Sequence, residues 1–234
     1  MVIVASYAVR GSTGFGAAAA MPLLALVIPV KVLVPVWTLL GFASSLTIVA
    51  REYRWVAVAE LARTLPSGLI GIAIGLYLFK VLDAVILARG LGLLVIAYGA
   101  YALWTTTRKA SAPQAPPRPA ALLAGILGGA VGTTFGTMAS IFYAIYFDAI
   151  ALSPRYFRAT MSAMILTLSI IRGLGYFAVG EFGLDVLKTF ALAFPLMLLG
   201  IFIGDRFHGG IGDLGFRRLV AAILIVSGAA LLVH

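Results

Sequence analysis

The chain has 234 residues, of which 62% are hydrophobic and only 11% are charged. A soluble domain carries roughly a quarter of its residues as charges, so this composition excludes a soluble globular protein. The net charge of +9 does not indicate nucleic acid, because Lys and Arg gather at the ends of apolar segments, where lipid headgroups lie.

Eight apolar segments of membrane-spanning length follow one another along the chain. They cover residues 2–28, 32–50, 55–79, 84–104, 120–147, 159–179, 184–204 and 216–233. A proline-rich stretch at 105–119 divides them, and its composition is typical of an extended linker. We therefore predict an all-α polytopic membrane protein with a first membrane repeat at 1–104, the linker at 105–119 and a second repeat at 120–234.

Glycines interrupt the first segment of each half. Gly11, Gly14 and Gly16 fall within the first segment, and Gly132 and Gly136 fall within the fifth. Glycine inside a helix costs up to ~1 kcal/mol relative to alanine, so we expect each helix to be broken or very closely packed. Two interpretations stay open: close helix packing through small residues, or an interrupted helix that presents backbone N–H groups to an anion.

The two halves repeat one another. At an offset of 129 residues, the Pro-x4-Gly-x3-Gly pattern from Pro66 to Gly75 overlays the one from Pro195 to Gly204, and the glycine spacing in both favours close helix packing. The same offset pairs Thr38 with Thr167, Glu52 with Glu181, Arg89 with Arg218 and Gly99 with Gly228. In the first segments the offset falls to about 120, which matches Phe15-Gly16 to Phe135-Gly136. An ordered series of this kind indicates an internal duplication.

The loop charges favour inverted repeats. If all eight segments cross the membrane, the loop Lys and Arg residues divide 6 against 8, which is no bias. If the first segment of each half is re-entrant, they divide 10 against 4, and the positive-inside rule prefers this arrangement with a cytoplasmic linker. The ten are Arg51, Arg54, Arg108, Lys109, Arg118, Arg155, Arg158, Arg206, Arg217 and Arg218; the four are Lys31, Lys80, Arg89 and Lys188.

Several basic residues are candidates for contact with an anion. Arg172 lies well inside the sixth segment, where a charge costs at least ~2.5 kcal/mol on insertion scales. Its planar guanidinium can hold a sulfonate or carboxylate with two hydrogen bonds, or it can snorkel to the interface. Arg10, Lys31 and Arg158 stand beside the first glycine stretch or open apolar segments, as headgroup anchors or as an electropositive vestibule.

Acidic residues and catalytic groups are scarce. Glu60 and Arg63 have i,i+3 spacing, which predicts an ion pair. Glu52 and Glu181 occupy matching loop positions, as gates or as solvated charges. With no Cys and two peripheral His, the chain shows no nucleophile–base pair and no metal-ligand cluster. We predict that it is not an enzyme and needs no cofactor or metal.

The order of these motifs resembles the TauE/SafE family of membrane proteins over residues 5–233. The resemblance is carried by Gly14-Phe15-Gly16, by Met21 to Leu26, by Lys31, by the Pro-x4-Gly-x3-Gly helices, by Tyr143 and by the run from Tyr156 to Thr160. It implies a sulfite exporter-like carrier of small organic or sulfur-containing anions in the bacterial inner membrane.

We predict a central anion site and a basic access path. The substrate-binding residues are Gly14, Phe15, Gly16, Thr133, Thr134, Phe135, Gly136, Thr137, Tyr143 and Arg172, and the gating or vestibule residues are Arg10, Lys31 and Arg158. The expected partners are a small anionic substrate and the lipid bilayer, with a homo-oligomer left open. Matched helix breaks in two repeats favour alternating access. A channel for a small solute and a non-transport scaffold subunit are the alternatives.

Overall fold

The structure, a computed structural model, describes residues 2–13, 20–106, 119–206 and 213–233. Within these ranges the regular secondary structure is helical. The ten α-helices are α1 (Val2–Thr13), α2 (Ala20–Ala25), α3 (Val30–Glu52), α4 (Val58–Val81), α5 (Ala84–Thr106), α6 (Pro119–Phe135), α7 (Ala139–Ala149), α8 (Pro154–Ala178), α9 (Leu184–Arg206) and α10 (Asp213–Val233). The apolar segment 120–147, expected as one element, is divided into the two helices α6 and α7. Of the segment 2–28, the structure describes the helical stretches α1 and α2, and residues 14–19 lie outside the described residues.

The protein is a multi-pass membrane protein. In the described part of the chain, five helices (α3, α4, α5, α8 and α9) are long and apolar enough to cross a bilayer. Large apolar side chains such as Leu93, Phe177 and Leu192 stand on their outer faces, as expected for surfaces in contact with lipid. The most apolar stretch of α3 is 61% buried, whereas those of α5 and α9 are 28% buried, so α3 lies at the centre.

Helices from the two halves pack in pairs. Helix α3 packs on α8, α4 on α6, α1 on α9, and α5 on α10. Two further contacts join α3 to α9 and α4 to α8. The largest interfaces therefore join one half of the chain to the other, and the halves interlock around α3 and α8.

The contacts also fix the relative directions of these helices. Gly41 of α3 lies against Ser169 of α8, and Glu52 at the end of α3 pairs with Arg158 near the start of α8, so the two helices run antiparallel. Gly92 of α5 contacts Gly228 and Leu231 of α10, whereas Gly228 contacts Val95 and Ile96, which is also antiparallel. Helices α4 and α6 run parallel, as do α1 and α9.

Glycines bring two of these interfaces close together. A methyl group at Gly71 of α4 would overlap the carbonyl oxygen of Ile126 on α6. A methyl group at Gly204 of α9 would overlap the carbonyl oxygen of Ala8 on α1. Gly75 and Gly200, the other members of the two patterns, approach α6 and α1 in the same way. Close packing, the structural interpretation of the Pro-x4-Gly-x3-Gly helices, is confirmed.

Candidate functional site

The chain reverses direction between α6 and α7. Gly132 faces Ala139 and Gly128 faces Tyr143, so α7 folds back along α6 as an antiparallel hairpin. The turn contains two residues with left-handed backbone, Gly136 with φ +70° and Met138 with φ +68°. Only glycine adopts this conformation without cost, which explains Gly136 at the bend. The predicted break in the fifth apolar segment is confirmed.

This turn packs at the centre of the protein. A methyl group added to Gly136 would lie 3.1 Å from Cε of Met21 on α2 and 3.2 Å from Cα of Val34 on α3. Thr137 and Met138 are buried beside it. The break in the second half therefore contacts the central helix α3 and helix α2 of the first half.

Two side chains of α8 bind the carboxyl end of α6. Nη1 of Arg172 donates a hydrogen bond of 2.5 Å to the carbonyl oxygen of Gly132, and the hydroxyl of Tyr176 donates to the carbonyl oxygen of Thr133. The last four carbonyl groups of a helix have no partner within the helix, so these donors stabilise the interrupted end. Arg172 also donates to the carbonyl of Leu168 and to Ser169, at 3.3 Å each.

Arg10 reaches the same region from the first half. Its Nη2 donates a hydrogen bond of 2.6 Å to Oγ of Ser45 on α3, and its guanidinium lies 5.9 Å from the ring centre of Tyr7. Nε of Arg10 and the hydroxyl of Tyr7 are buried and have no hydrogen-bond partner in the described residues. Ser45 is one helical turn from Gly41, which touches Ser169 of α8, so Arg10 points toward the α3–α8 crossing.

Among the described residues, the two arginines carry a buried positive charge that no carboxylate balances. Arg10 is 6% exposed and Arg172 is 5% exposed. Within the described ranges, neither forms an ion pair. A buried charge is costly unless it is paired, so this arrangement is suited to an anion as the missing counter-charge.

Other predicted site residues lie in helix interfaces. Thr134 donates to the carbonyl of Gly75 at 3.4 Å, and the side chain of Thr133 also lies against Gly75, with its hydroxyl unpaired among the described residues. Phe135 packs on Gly90 of α5, where its ring atoms would lie 3.0 Å from a methyl group added to that glycine. The ring of Tyr143 packs on Gly128, which joins α7 to α6. Gly14, Phe15 and Gly16 lie outside the described residues, between the end of α1 and the start of α2.

Lys31 and Arg158 lie at opposite ends of the antiparallel α3–α8 pair. Nζ of Lys31 stands 5.8 Å from the ring centre of Phe79, and Nη1 of Arg158 lies 3.4 Å from Oε1 of Glu52. The structure therefore does not bring these two residues and Arg10 into one vestibule, because the antiparallel direction of α8 separates them. The predicted Glu60–Arg63 ion pair is confirmed at 2.7 Å.

Sequence reasoning missed three residues of this region: Tyr7, Ser45 and Tyr176. Two of them had a detectable signal. Tyr7 lies three residues before Arg10 on one face of α1, and Tyr176 lies four residues after Arg172 on one face of α8. In the described part of the chain, no group of three His, Asp or Glu side chains is arranged to hold a metal ion.

The family model described as sulfite exporter TauE/SafE matches residues 1–231. No curated protein and no solved structure matches the chain significantly.

Proposed function

The chain belongs to the sulfite exporter TauE/SafE family, and on that basis we propose that it is a secondary transporter of small, sulfur-containing anions such as sulfite or a sulfonate. Membership of a transporter family favours transport over catalysis. The proposed location is the bacterial inner membrane, with the 105–119 linker on the cytoplasmic side. The carrying observation is the pair of buried arginines, Arg10 and Arg172, that no carboxylate of the described residues balances.

The two arginines have different tasks in this proposal. Among the described residues, Arg10 has an unpaired Nε and one side-chain hydrogen bond, to Ser45, so it is the direct ligand of the anion. Arg172 donates hydrogen bonds to Gly132, Leu168 and Ser169. It therefore holds the end of α6 in place and adds positive charge to the site. The start of α7 at Ala139 also lies beside Gly132, and a helix N-terminus favours an anion.

The helix pairing supports inverted repeats. Exchanging the halves turns the α4–α6 contact into α9–α1 and the α3–α9 contact into α8–α4, and all four contacts occur. Helices α3 and α8 carry the matching residues Thr38 and Thr167, and they run antiparallel. Equivalent helices of parallel repeats would run in the same direction. The α6–α7 hairpin supplies the re-entrant segment that inversion needs.

Thiol labelling tests the proposed orientation, and the absence of native Cys makes the experiment direct. We expect Gln114→Cys in the linker and Arg155→Cys in the first turn of α8 to react with an impermeant thiol reagent from the cytoplasmic side only. Gly183→Cys, in the loop after α8, is expected to react from the opposite side only. Labelling of the linker and of position 155 from opposite sides would exclude inverted repeats.

Alternating access between two conformations is the proposed mechanism, and flux measurements separate it from its rivals. We expect purified protein in liposomes to take up radiolabelled sulfite or a small sulfonate with saturation, and internal unlabelled anion to accelerate that uptake. A channel would show neither behaviour, and a scaffold subunit would show no flux at all.

A glycine pair provides the matched control for that assay. Gly136→Ala forces a side chain into left-handed backbone and against Met21 and Val34, so we expect loss of flux. Gly180→Ala imposes the same backbone strain, because Gly180 has φ +80°. A methyl group added at Gly180 would have no neighbouring atom within 4 Å, so this variant should retain flux. Equal flux in the two folded variants would show that the turn between α6 and α7 is not part of the transport site.

A further inference from the structure

The two ends of the central α3–α8 pair differ in how they are joined. At one end, which we call the Glu52 end, Arg158 of α8 forms an ion pair with Glu52 of α3 at 3.4 Å. The Arg158 and Glu52 side chains are only 18% and 22% exposed. The backbone N–H of Ala57 also donates to Oγ1 of Thr160 at 2.9 Å. The Glu52 end is therefore closed by polar contacts between the two halves.

Aromatic residues reinforce the same end. The Trp55 and Tyr156 rings meet edge to face at 5.4 Å, and the guanidinium of Arg155 lies 4.2 Å from the Trp55 ring centre. Edge-to-face aromatic pairs and cation–π contacts are both attractive. They join the turn after α3 to the start of α8, so they close the same gap as the ion pair.

The opposite end, which we call the Lys31 end, lacks the corresponding pair. Lys31 near the start of α3 and Glu181 just after α8 both lie there, yet in the described part of the chain no hydrogen bond or ion pair joins them. Lys31 instead lies over the ring of Phe79. Both side chains are half-buried and of opposite charge, so they are equipped to pair when the end closes.

The duplication makes these two ends counterparts. Glu181 is the residue that matches Glu52 at the offset of 129, and Lys31 and Arg158 take similar places near the starts of α3 and α8. We propose that Glu52–Arg158 and Lys31–Glu181 are two alternating gates, of which the first is closed and the second open in this structure. The inference rests on the proposed carrier function, because a carrier must open one end of its site while the other is shut.

The physical logic is a two-state exchange. When the halves rock about α3 and α8, breaking the Glu52–Arg158 pair is offset by forming the Lys31–Glu181 pair, so neither state is strongly favoured. Near-equal pairs at both ends keep both states populated. The central site, with Arg10 and Arg172 between the two ends, is thereby exposed to each side in turn.

A reporter cysteine in the centre tests the gates without any substrate. Thr137→Cys lies in the buried turn between α6 and α7, in a chain that has no other thiol. In oriented membrane vesicles, we expect an impermeant thiosulfonate reagent to label it faster from the Lys31 end. Adding Glu52→Gln should raise labelling from the Glu52 end by about three- to tenfold, the effect expected from losing a partly buried ion pair.

Three further variants in the reporter background complete the design. Asp185→Asn removes an exposed acid outside the α3–α8 pair and should leave both labelling rates unchanged. Glu52→Arg combined with Arg158→Glu should restore slow labelling from the Glu52 end. Adding Glu181→Gln to Glu52→Gln should return labelling from the Glu52 end toward the original rate. The state that is open at the Glu52 end then also loses its stabilising ion pair, the one between Lys31 and Glu181.

The outcomes separate the gates from the proposed function. Unchanged labelling in Glu52→Gln, or the same increase in Asp185→Asn, would overturn the first gate, whatever the flux measurements give. An increase that persists fully when Glu181→Gln is added would overturn the second gate. Labelling that shifts as expected, together with no flux of any sulfur anion, would support the gates and refute the proposed substrate.

Discussion

Replacing Arg10 with Gln is expected to lower anion flux by about 100-fold or more, with the protein still folded. Arg10 is buried, and in the described part of the chain no carboxylate pairs with it and its Nε has no hydrogen-bond partner, so we expect its strongest partner to be the transported anion. Removing one member of a buried, hydrogen-bonded charge pair costs about 2–5 kcal/mol, and each ~1.4 kcal/mol is a tenfold change. Uptake into liposomes at a fixed low anion concentration measures the loss.

Three variants control this expectation. Arg63→Gln removes an exposed arginine whose partner is Glu60 and should leave flux unchanged. Arg10→Lys keeps the charge but loses the planar geometry, so we expect partial flux. Ser45→Ala removes the described hydrogen bond to Arg10 without changing charge, and should lower flux far less than Arg10→Gln. Undiminished flux in folded Arg10→Gln would show that Arg10 does not bind the transported anion.

The variant Arg172→Gln tests whether Arg172 holds the backbone at the end of α6 rather than binding the anion directly. It leaves the carbonyl of Gly132 at the end of α6 without its donor, so thermal stability should fall even in the absence of anion. Arg10→Gln instead removes an uncompensated buried charge, so its thermal stability should equal or exceed that of the original protein. Equal losses of stability in the two variants would contradict this division of tasks.

Local patterns predicted the breaks and the close helix interfaces well. Gly132 and Gly136 predicted an interrupted helix because they disfavour continuous helix whatever surrounds them, and the chain bends at Gly136. The tight packing at Gly71 and Gly204 followed from small residues spaced along one helical face. Both features depend mainly on local chain properties, which a sequence carries directly.

Features that depend on distant partners could not be predicted in the same way. The sequence marked Arg172 as the main charged ligand because it stands deepest in an apolar segment, but its donors are directed to the last turn of α6, forty residues away. The availability of Arg10 depends on Ser45, 35 residues away on α3, which no local spacing connects to it. Lys31 and Arg158 looked equivalent, and only the antiparallel contact of α3 with α8 places them at opposite ends.

Gly71→Ala and Gly204→Ala are expected to destabilise the protein strongly and to a similar extent. Each new methyl group would overlap a backbone carbonyl oxygen of the neighbouring helix, that of Ile126 or of Ala8, and backbone cannot move aside as a side chain end can. Overpacking of this kind costs about 1–3 kcal/mol or more. The melting midpoint of purified protein in detergent, followed by size-exclusion chromatography after heating, measures the effect.

Gly173→Ala on α8 is the matched control for both substitutions. Gly173 is inside a helix and has no atom within 4 Å of an added methyl group, so the gain in helix propensity, up to ~1 kcal/mol, is unopposed. We expect its melting midpoint to stay level or rise. If Gly71→Ala and Gly204→Ala lower the melting midpoint by different amounts, the two glycines do not have equivalent roles in two repeats. A Gly71→Ala variant with an unchanged melting midpoint would show that α4 and α6 can move apart. The comparison therefore tests the duplicated architecture through packing alone, independently of any transported anion.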